Sequence, residues 1–264
     1  MNTFKLNGIS INDYEGSGVP LIFIHAYPLC SRMWDSQVEY FKDKFRVITY
    51  DIRGLGYSNE LDYDIFTMEE LVNDLFDIID HLKLGKVNVC GLSMGGYIIL
   101  RAVVREPERF TSIILADTKA EGESNESLIN RSNSIIKLKS AKKDEFLDEF
   151  LTKLLSEESY KNEKIKSFVG LIMTWMDVKG LCANLIAIAT RTTTFYQVKE
   201  INIPTLIIVG KKDVLTPPVH SFYLKEKIKN STFKVIEDAG HLSNMEKPEE
   251  FNIAIEEFFQ NIKQ

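Results

Sequence analysis

The sequence predicts an α/β fold in which a mainly parallel, eight-stranded sheet is flanked by helices, and three observations predict it. Short continuous apolar runs recur along the chain, as strands buried on both faces of a parallel sheet require. Segments with a 3.6-residue apolar period lie between them. The two kinds of segment alternate, which is the pattern of repeated strand–helix–strand units.

The first two strands are the exception. Thr3–Leu6 and Ile9–Asn12 alternate apolar and polar residues on either side of Asn7-Gly8, a tight-hairpin signature. Leu21–Ile24, Phe45–Tyr50, Lys86–Cys90, Phe110–Ala116, Thr205–Val209 and Thr232–Ile236 follow as strands three to eight. A helix is expected over Thr67–Leu82, where Leu71, Leu75, Ile78, Ile79 and Leu82 form one stripe and Thr67 and Glu70 form a capping box. Gly95–Arg105 reads as a second helix, and Pro217–Ile228 and Pro248–Ile262 as two more, each with proline in its first turn. The alternation stops between the sixth and seventh strands. Residues 119–198 contain several helical stretches and no convincing strand, so a helical lid is expected there, inserted into a core of residues 1–118 and 199–264.

Composition narrows the function. The chain has 264 residues, a net charge of −6, 44% hydrophobic and 27% charged residues, as a soluble globule should. An acidic balance argues against nucleic acid or an anionic membrane as partner, because both need a basic face. No apolar run approaches the ~20 residues of a membrane span, and the first residues lack the basic and apolar regions of a signal peptide. The three cysteines, Cys30, Cys90 and Cys182, are few and far apart. No disulfide framework and no metal site is expected, and the cytoplasm is the expected location.

The chemistry concentrates in Gly91-Leu92-Ser93-Met94-Gly95. This Gly-x-Ser-x-Gly run ends a strand and opens a helix, the context in which it forms a nucleophile elbow. The sharp turn lifts the serine hydroxyl above the sheet, and the glycines avoid a collision between side chains. The helix N-terminus beyond offers N–H groups to an oxyanion. A serine hydroxyl needs a base. Of four histidines, His81 ends a helix and His220 lies on a surface turn, whereas His241 follows the last strand at its C-terminal end, where α/β sheets gather their ligands. The base in turn needs an acid. Asp213 and Asp117 each follow a strand and either can reach the imidazole; the chain order Ser93, Asp213, His241 favours Asp213. The loop after the third strand should supply an oxyanion N–H from Tyr27, with the second from Met94. His25, in that loop, is expected to position it by a hydrogen bond and to lie near the pocket.

With these residues in place, the chain resembles the α/β-hydrolase superfamily over essentially its whole length. It is most similar to small cofactor-free members: 3-oxoadipate enol-lactonases, carboxylesterases and non-haem haloperoxidases. The motifs that carry the resemblance are His25-Ala26-Tyr27-Pro28-Leu29 with Ser31–Trp34, Asp51–Ser58, Gly91–Gly96, Gly210–Pro218 and Ala239-Gly240-His241. The resemblance implies an α/β-hydrolase fold, Ser93 as nucleophile, His241 as base, Asp213 as acid, Tyr27 and Met94 as oxyanion donors, and no cofactor. One departure is Ala26, where the family usually has glycine; a positive φ there would strain the loop by about 1–2 kcal/mol.

The function expected is therefore a serine hydrolase acting on ester or lactone bonds of small, largely apolar molecules. Substrate choice is expected to reside in the lid, with Trp34, Phe168, Trp175 and Met176 as pocket residues and Arg131 and Arg191 as cations for a carboxylated lactone. The same triad also serves C–C bond hydrolysis and perhydrolysis, and a ligand-sensing receptor with slow hydrolysis is the alternative from another class.

Overall fold

The computed structural model describes residues 1–59 and 65–262. Strands β1 (Asn2–Leu6) and β2 (Ile9–Asp13) form the hairpin, with Leu6 opposite Ile9. The two turn residues have positive φ, 49° at Asn7 and 80° at Gly8, which matches the right-handed twist of the flanking strands. Six parallel strands follow: β3 (Pro20–Ile24), β4 (Arg46–Tyr50), β5 (Val87–Leu92), β6 (Phe110–Ala116), β7 (Thr205–Gly210) and β8 (Ser231–Ile236). The sheet order is β1-β2-β4-β3-β5-β6-β7-β8, with β2 antiparallel to β4. The eight-stranded, mainly parallel sheet expected from the sequence is present.

The helices of the core are α1 (Asp35–Phe41), α2 (Met68–His81) and α3 (Met94–Arg105). Five more, α4 (Asn125–Lys139), α5 (Lys143–Leu154), α6 (Glu157–Lys161), α7 (Glu163–Thr174) and α8 (Val178–Ala189), occupy the interval between β6 and β7. The chain ends with α9 (Pro218–Lys227), α10 (Ser243–Glu246) and α11 (Pro248–Ile262). The helix over α2 starts as its sequence dictates, with the Thr67 N–H donating to Glu70 Oε2 at 2.8 Å. Helices α1 and α10 are the core helices that periodicity did not announce, because seven and four residues make barely two turns and one. Among the described residues no single helix is long and apolar enough to cross a membrane.

Burial on both faces accounts for the unbroken apolar strands. Ile22, Phe23 and Ile24 of β3 are fully buried, as are Ile113, Ile114 and Leu115 of β6. Each such side chain contributes about 1.5–3 kcal/mol. Topology then places the site. Strand β3 has β4 on one side and β5 on the other, so the chain reverses direction across the sheet between them. The crevice at such a reversal, outside the carboxyl ends of the strands, is where an open α/β sheet receives a ligand. His25, Ser93, Asp117 and Asp213 follow the carboxyl ends of β3, β5, β6 and β7, and His241 follows β8.

Candidate active site

Ser93 joins β5 to α3 at φ 55°, ψ −111°, a conformation that costs a non-glycine residue about 1–3 kcal/mol. The surroundings hold it there. Its N–H donates to Ala116 O at 2.9 Å, and its carbonyl accepts from Thr118 Oγ1 at 2.8 Å and Tyr97 N at 3.1 Å. Glycine is required on both sides. A Cβ at Gly95 would meet Ile24 O at 2.2 Å, and one at Gly91 would meet the Gly95 carbonyl at 2.5 Å.

His241 is 1% exposed and its Nδ1 lies 2.8 Å from Asp213 Oδ2. The other Asp213 oxygen accepts from Leu215 N at 2.8 Å and Thr216 N at 3.0 Å, while Thr216 Oγ1 donates to Oδ2 at 2.6 Å. Burial alone would raise the Asp213 pKa; the His241 charge and these bonds outweigh it and hold the carboxyl below its ordinary value. Asp117, the other acid considered, is turned elsewhere. It accepts from Gly210 N at 2.7 Å and from the Ser243 hydroxyl. Burial, and then the Asp213 charge, push its pKa well up.

Ser93 and His241 both line one cavity of about 440 Å³. Its inner wall is aromatic and aliphatic, from Tyr27, Tyr97, Leu185, Ile188 and Leu215, with Phe146 and Phe150 beyond. Its outer wall comes from Lys119, Glu123 and the face of α4 that carries Ser127, Asn130, Arg131, Ser134 and Lys137. Tyr27 is 4% exposed and stands edge-on to Phe150, ring centres 5.7 Å apart. Met94 is the first residue of α3, so its N–H has no intrahelical acceptor.

Several residues expected at the pocket lie elsewhere. His25 is fully buried away from the cavity. Its Nδ1 bonds Ala26 O at 2.9 Å and its Nε2 accepts from Ile52 N at 2.8 Å, so it ties two loops together, and burial lowers its pKa. Trp34 is fully buried in the core between Phe23 and Phe251. Met176 is fully buried, its Sδ accepting from Gly56 N at 3.2 Å. Phe168 and Trp175 are half-buried beside the Arg32 guanidinium, which lies 5.3 and 5.8 Å from their ring centres, and Tyr57 packs on Trp175. Arg191 lies behind the wall, its guanidinium 4.0 Å from the Tyr97 ring centre. Of the expected pocket side chains, Arg131 lines the cavity. Ala26 is not among the residues with positive φ, so the expected loop strain is absent. Cys30 is fully buried, and burial, with the charge of Asp51, pushes its thiol up to about 12.

The alpha/beta hydrolase fold family model matches residues 19–156 and 182–248, which include Ser93, Asp213 and His241. The chain belongs to the α/β-hydrolase family. The 3-oxoadipate enol-lactonase 1 of Acinetobacter baylyi is 29% identical over 98% of this chain and 95% of its own length. Among solved α/β-hydrolase structures, the malate-bound thermophilic esterase of Thermogutta terrifontis has a TM-score of 0.91 at 31% identity, over 97% of this chain and 94% of that one. The enol-lactonase of Burkholderia xenovorans LB400 has a TM-score of 0.89 at 25% identity, over 98% and 100%.

Sequence reasoning about this hydrolase passed over Tyr97, Thr216 and Glu123. Tyr97 stands one helical turn from Ser93 and Thr216 three residues from Asp213, a spacing that could have found both. Glu123 had no such signal. Its side chain is 1% exposed and carries ion pairs to Arg131 Nε at 2.9 Å, Lys119 at 3.5 Å and Arg191. Burial would raise its pKa, but the bonds and charges of Arg131 and Arg191 outweigh that and hold it at about 2. A carboxyl lowered in the fold contributes stability that is complete above its unfolded pKa and is lost as pH falls through the folded value. Glu123→Gln should therefore cost about 3–5 kcal/mol at pH 7, the range for breaking a buried ion pair. The gap to wild type should narrow between pH 5 and pH 2. Urea midpoints for both proteins at pH 7 and pH 3 measure it, and an equal gap at the two pH values would contradict this account.

Proposed function

We propose that the chain is a serine hydrolase that cleaves carboxylic ester or lactone bonds of small molecules through an acyl-enzyme. The observation that carries the reading is the His241–Asp213 pair facing the cavity that Ser93 also lines. With Nδ1 bonded to Asp213, the imidazole presents Nε2 as the free acceptor. His241 takes the Ser93 proton as the hydroxyl oxygen attacks the substrate carbonyl. The backbone N–H groups of Tyr27 and Met94 hold the oxyanion. Asp213 stabilises the imidazolium, which passes its proton to the leaving alkoxide. Water, deprotonated by His241, then frees the acid and restores Ser93. Each step uses protein groups and water, so no cofactor is called for.

The helices of residues 119–198 act as the lid in this reading, since they supply the outer cavity wall. The names of the relatives support ester and lactone bonds over C–C bonds. A reducing compartment suits the three unpaired, buried cysteines, so the cytoplasm is the proposed location. A fluorophosphonate probe should label the wild-type protein at one site, Ser93, as read by peptide mass. Ser93→Ala should take no label and hydrolyse none of a panel of p-nitrophenyl esters and lactones. Labelling that persists in Ser93→Ala would overturn the assignment.

A further inference from the structure

The loops that carry Tyr27 and His241 come from distant strands. In the sheet order β3 and β8 lie four places apart, so at ~4.8 Å per strand the two loops start about 19 Å from each other. Strands β3 and β8 do not pair, and the ladder does not set one loop against the other. A cluster of buried amides joins them instead. Asn244 stands three residues after His241, Gln37 lies in α1 and Asn252 in α11, and they are 0%, 0% and 4% exposed. Gln37 Nε2 donates to Asn244 O at 3.2 Å and to Asn252 Oδ1 at 3.0 Å. Asn244 Nδ2 donates to Gln37 Oε1 at 3.2 Å and to the Met33 carbonyl at 2.9 Å.

Met33 carries the connection onward. Its side chain is buried, and its Sδ accepts from the Ala26 N–H at 3.2 Å. The Ala26 carbonyl accepts from Leu29 N and His25 Nδ1, both at 2.9 Å. The peptide that joins Ala26 to Tyr27 is planar, so its carbonyl and its N–H point in opposite directions. With the carbonyl turned onto His25 and Leu29, the Tyr27 N–H is turned the other way. A separate observation shows that stability does not account for the amides. Asn244 Oδ1 is buried without a partner among the described residues. A half-satisfied polar cluster is worse for stability than apolar side chains of the same shape. What the cluster supplies is geometry.

We propose that Asn244, held by Gln37, is a positioning residue that sets the oxyanion loop against the base, with the Met33 thioether as the last link to the Ala26–Tyr27 peptide. One frame then holds the imidazole that takes the Ser93 proton and the N–H that receives the oxyanion. The proposal rests on the hydrolase reading above and extends it to residues that touch no substrate, since Gln37, Met33 and Asn244 do not line the cavity. A frame is worth this much buried polarity because a misplacement of about 1 Å can cost about 100-fold in rate.

Asn244→Leu tests it, with p-nitrophenyl butyrate as substrate. Its kcat should fall by about 10- to 100-fold, part of the loss for a deleted oxyanion donor, with KM within about twofold of wild type. Two inhibitors separate positioning from loosened packing. The Ki of a trifluoromethyl ketone, which adds to Ser93 and forms an oxyanion, should rise by the factor that kcat falls. The Ki of the matching secondary alcohol, which forms no adduct, should stay within about twofold. Met33→Leu keeps the volume and the amides but removes the thioether acceptor. It should show the same pattern at about 3- to 10-fold with nearly the wild-type Tm, and it decides the question if Asn244→Leu does not fold. The triple variant Gln37→Leu/Asn244→Leu/Asn252→Leu removes every amide of the cluster, so it should regain Tm relative to Asn244→Leu without regaining kcat. Wild-type kcat in Met33→Leu, Ki values that rise together for both inhibitors, or a triple variant that regains kcat as well as Tm would overturn the positioning role while leaving the hydrolase intact. A wild-type protein that neither cleaves the ester nor prefers the ketone to the alcohol would remove the hydrolase reading, and this proposal with it.

Discussion

Ser93→Ala should lower kcat/KM for ester hydrolysis by about 10⁴-fold or more, with the far-ultraviolet circular dichroism spectrum unchanged. Alanine occupies the same strained turn and removes only the Oγ, so the effect is chemical. His241→Ala should match it, and the double variant should lose little more, because a nucleophile without its base and a base without its nucleophile are equally idle. The informative comparison is between the two buried aspartates. Asp213→Asn exchanges an acceptor at His241 Nδ1 for a donor, favours the wrong tautomer and should cost about 10⁴-fold. Asp117→Asn replaces a carboxyl whose pKa burial pushes well up and which does not touch His241; its oxygen still accepts from Gly210 N, and the Ser243 hydroxyl can turn to accept. Its loss should stay below about tenfold. Equal losses for the two aspartates would mean that both carboxyls act on the imidazole, and would revise the triad.

The difference between the two aspartates shows where sequence patterns reach and where they stop. Strand and helix positions were readable because burial is written into composition. Strand β3 is apolar throughout since both of its faces are covered, and α2 keeps a strict stripe since only one is. Ser93, Asp213 and His241 each end or follow a strand within a short motif, and parallel strands bring such ends to one edge. The cavity wall obeys no comparable rule. Helix α4 is inverted with respect to the usual pattern: Ile129 and Ile136 are 61% and 63% exposed, while its polar face meets the cavity. A reading that assigned aromatic residues to the pocket therefore selected Phe168 and Trp175, which Arg32 holds on another face. Glu123 gathers cations from three separate places in the insertion, and pairings of that range leave no periodicity. The near-neutral charge of residues 119–198, 12 basic against 11 acidic, conceals the local excess because the acidic groups lie mostly outside the cavity.

A second large effect is expected at Glu246, a buried carboxylate that joins the insertion to the loop of the proposed base. Its Oε1 accepts from Gly240 N at 2.9 Å and Leu242 N at 3.2 Å, on either side of His241. Its Oε2 accepts from Ser156 N at 2.9 Å, at the start of α6. The N–H groups of His241 and Leu242 donate to Leu154 O at 3.1 and 3.2 Å, so Leu154 and Ser156 both hold this loop. The packing is close enough that a Cβ on Gly240 would meet Ser156 N at 2.5 Å. Glu246→Leu leaves the Gly240 and Ser156 N–H groups buried without acceptors, each costing about 1–3 kcal/mol, while Leu242 N keeps Leu154 O at 3.2 Å. A loss of about 3 kcal/mol or more in urea unfolding is expected, with a Tm lower by roughly 6–12 °C for a chain of this size. Glu246→Gln separates the two attachments. Its oxygen can still serve Gly240 and Leu242, while its amide turns a donor toward the Ser156 N–H. That variant should lose less stability but release the insertion from the loop. Its kcat for a small ester should fall by about tenfold while fluorophosphonate labelling of Ser93 slows by a similar factor, since both require His241 in place. A Glu246→Gln protein with wild-type kcat and labelling rate, yet lowered Tm, would reduce Glu246 to a structural clamp with no hold on the chemistry.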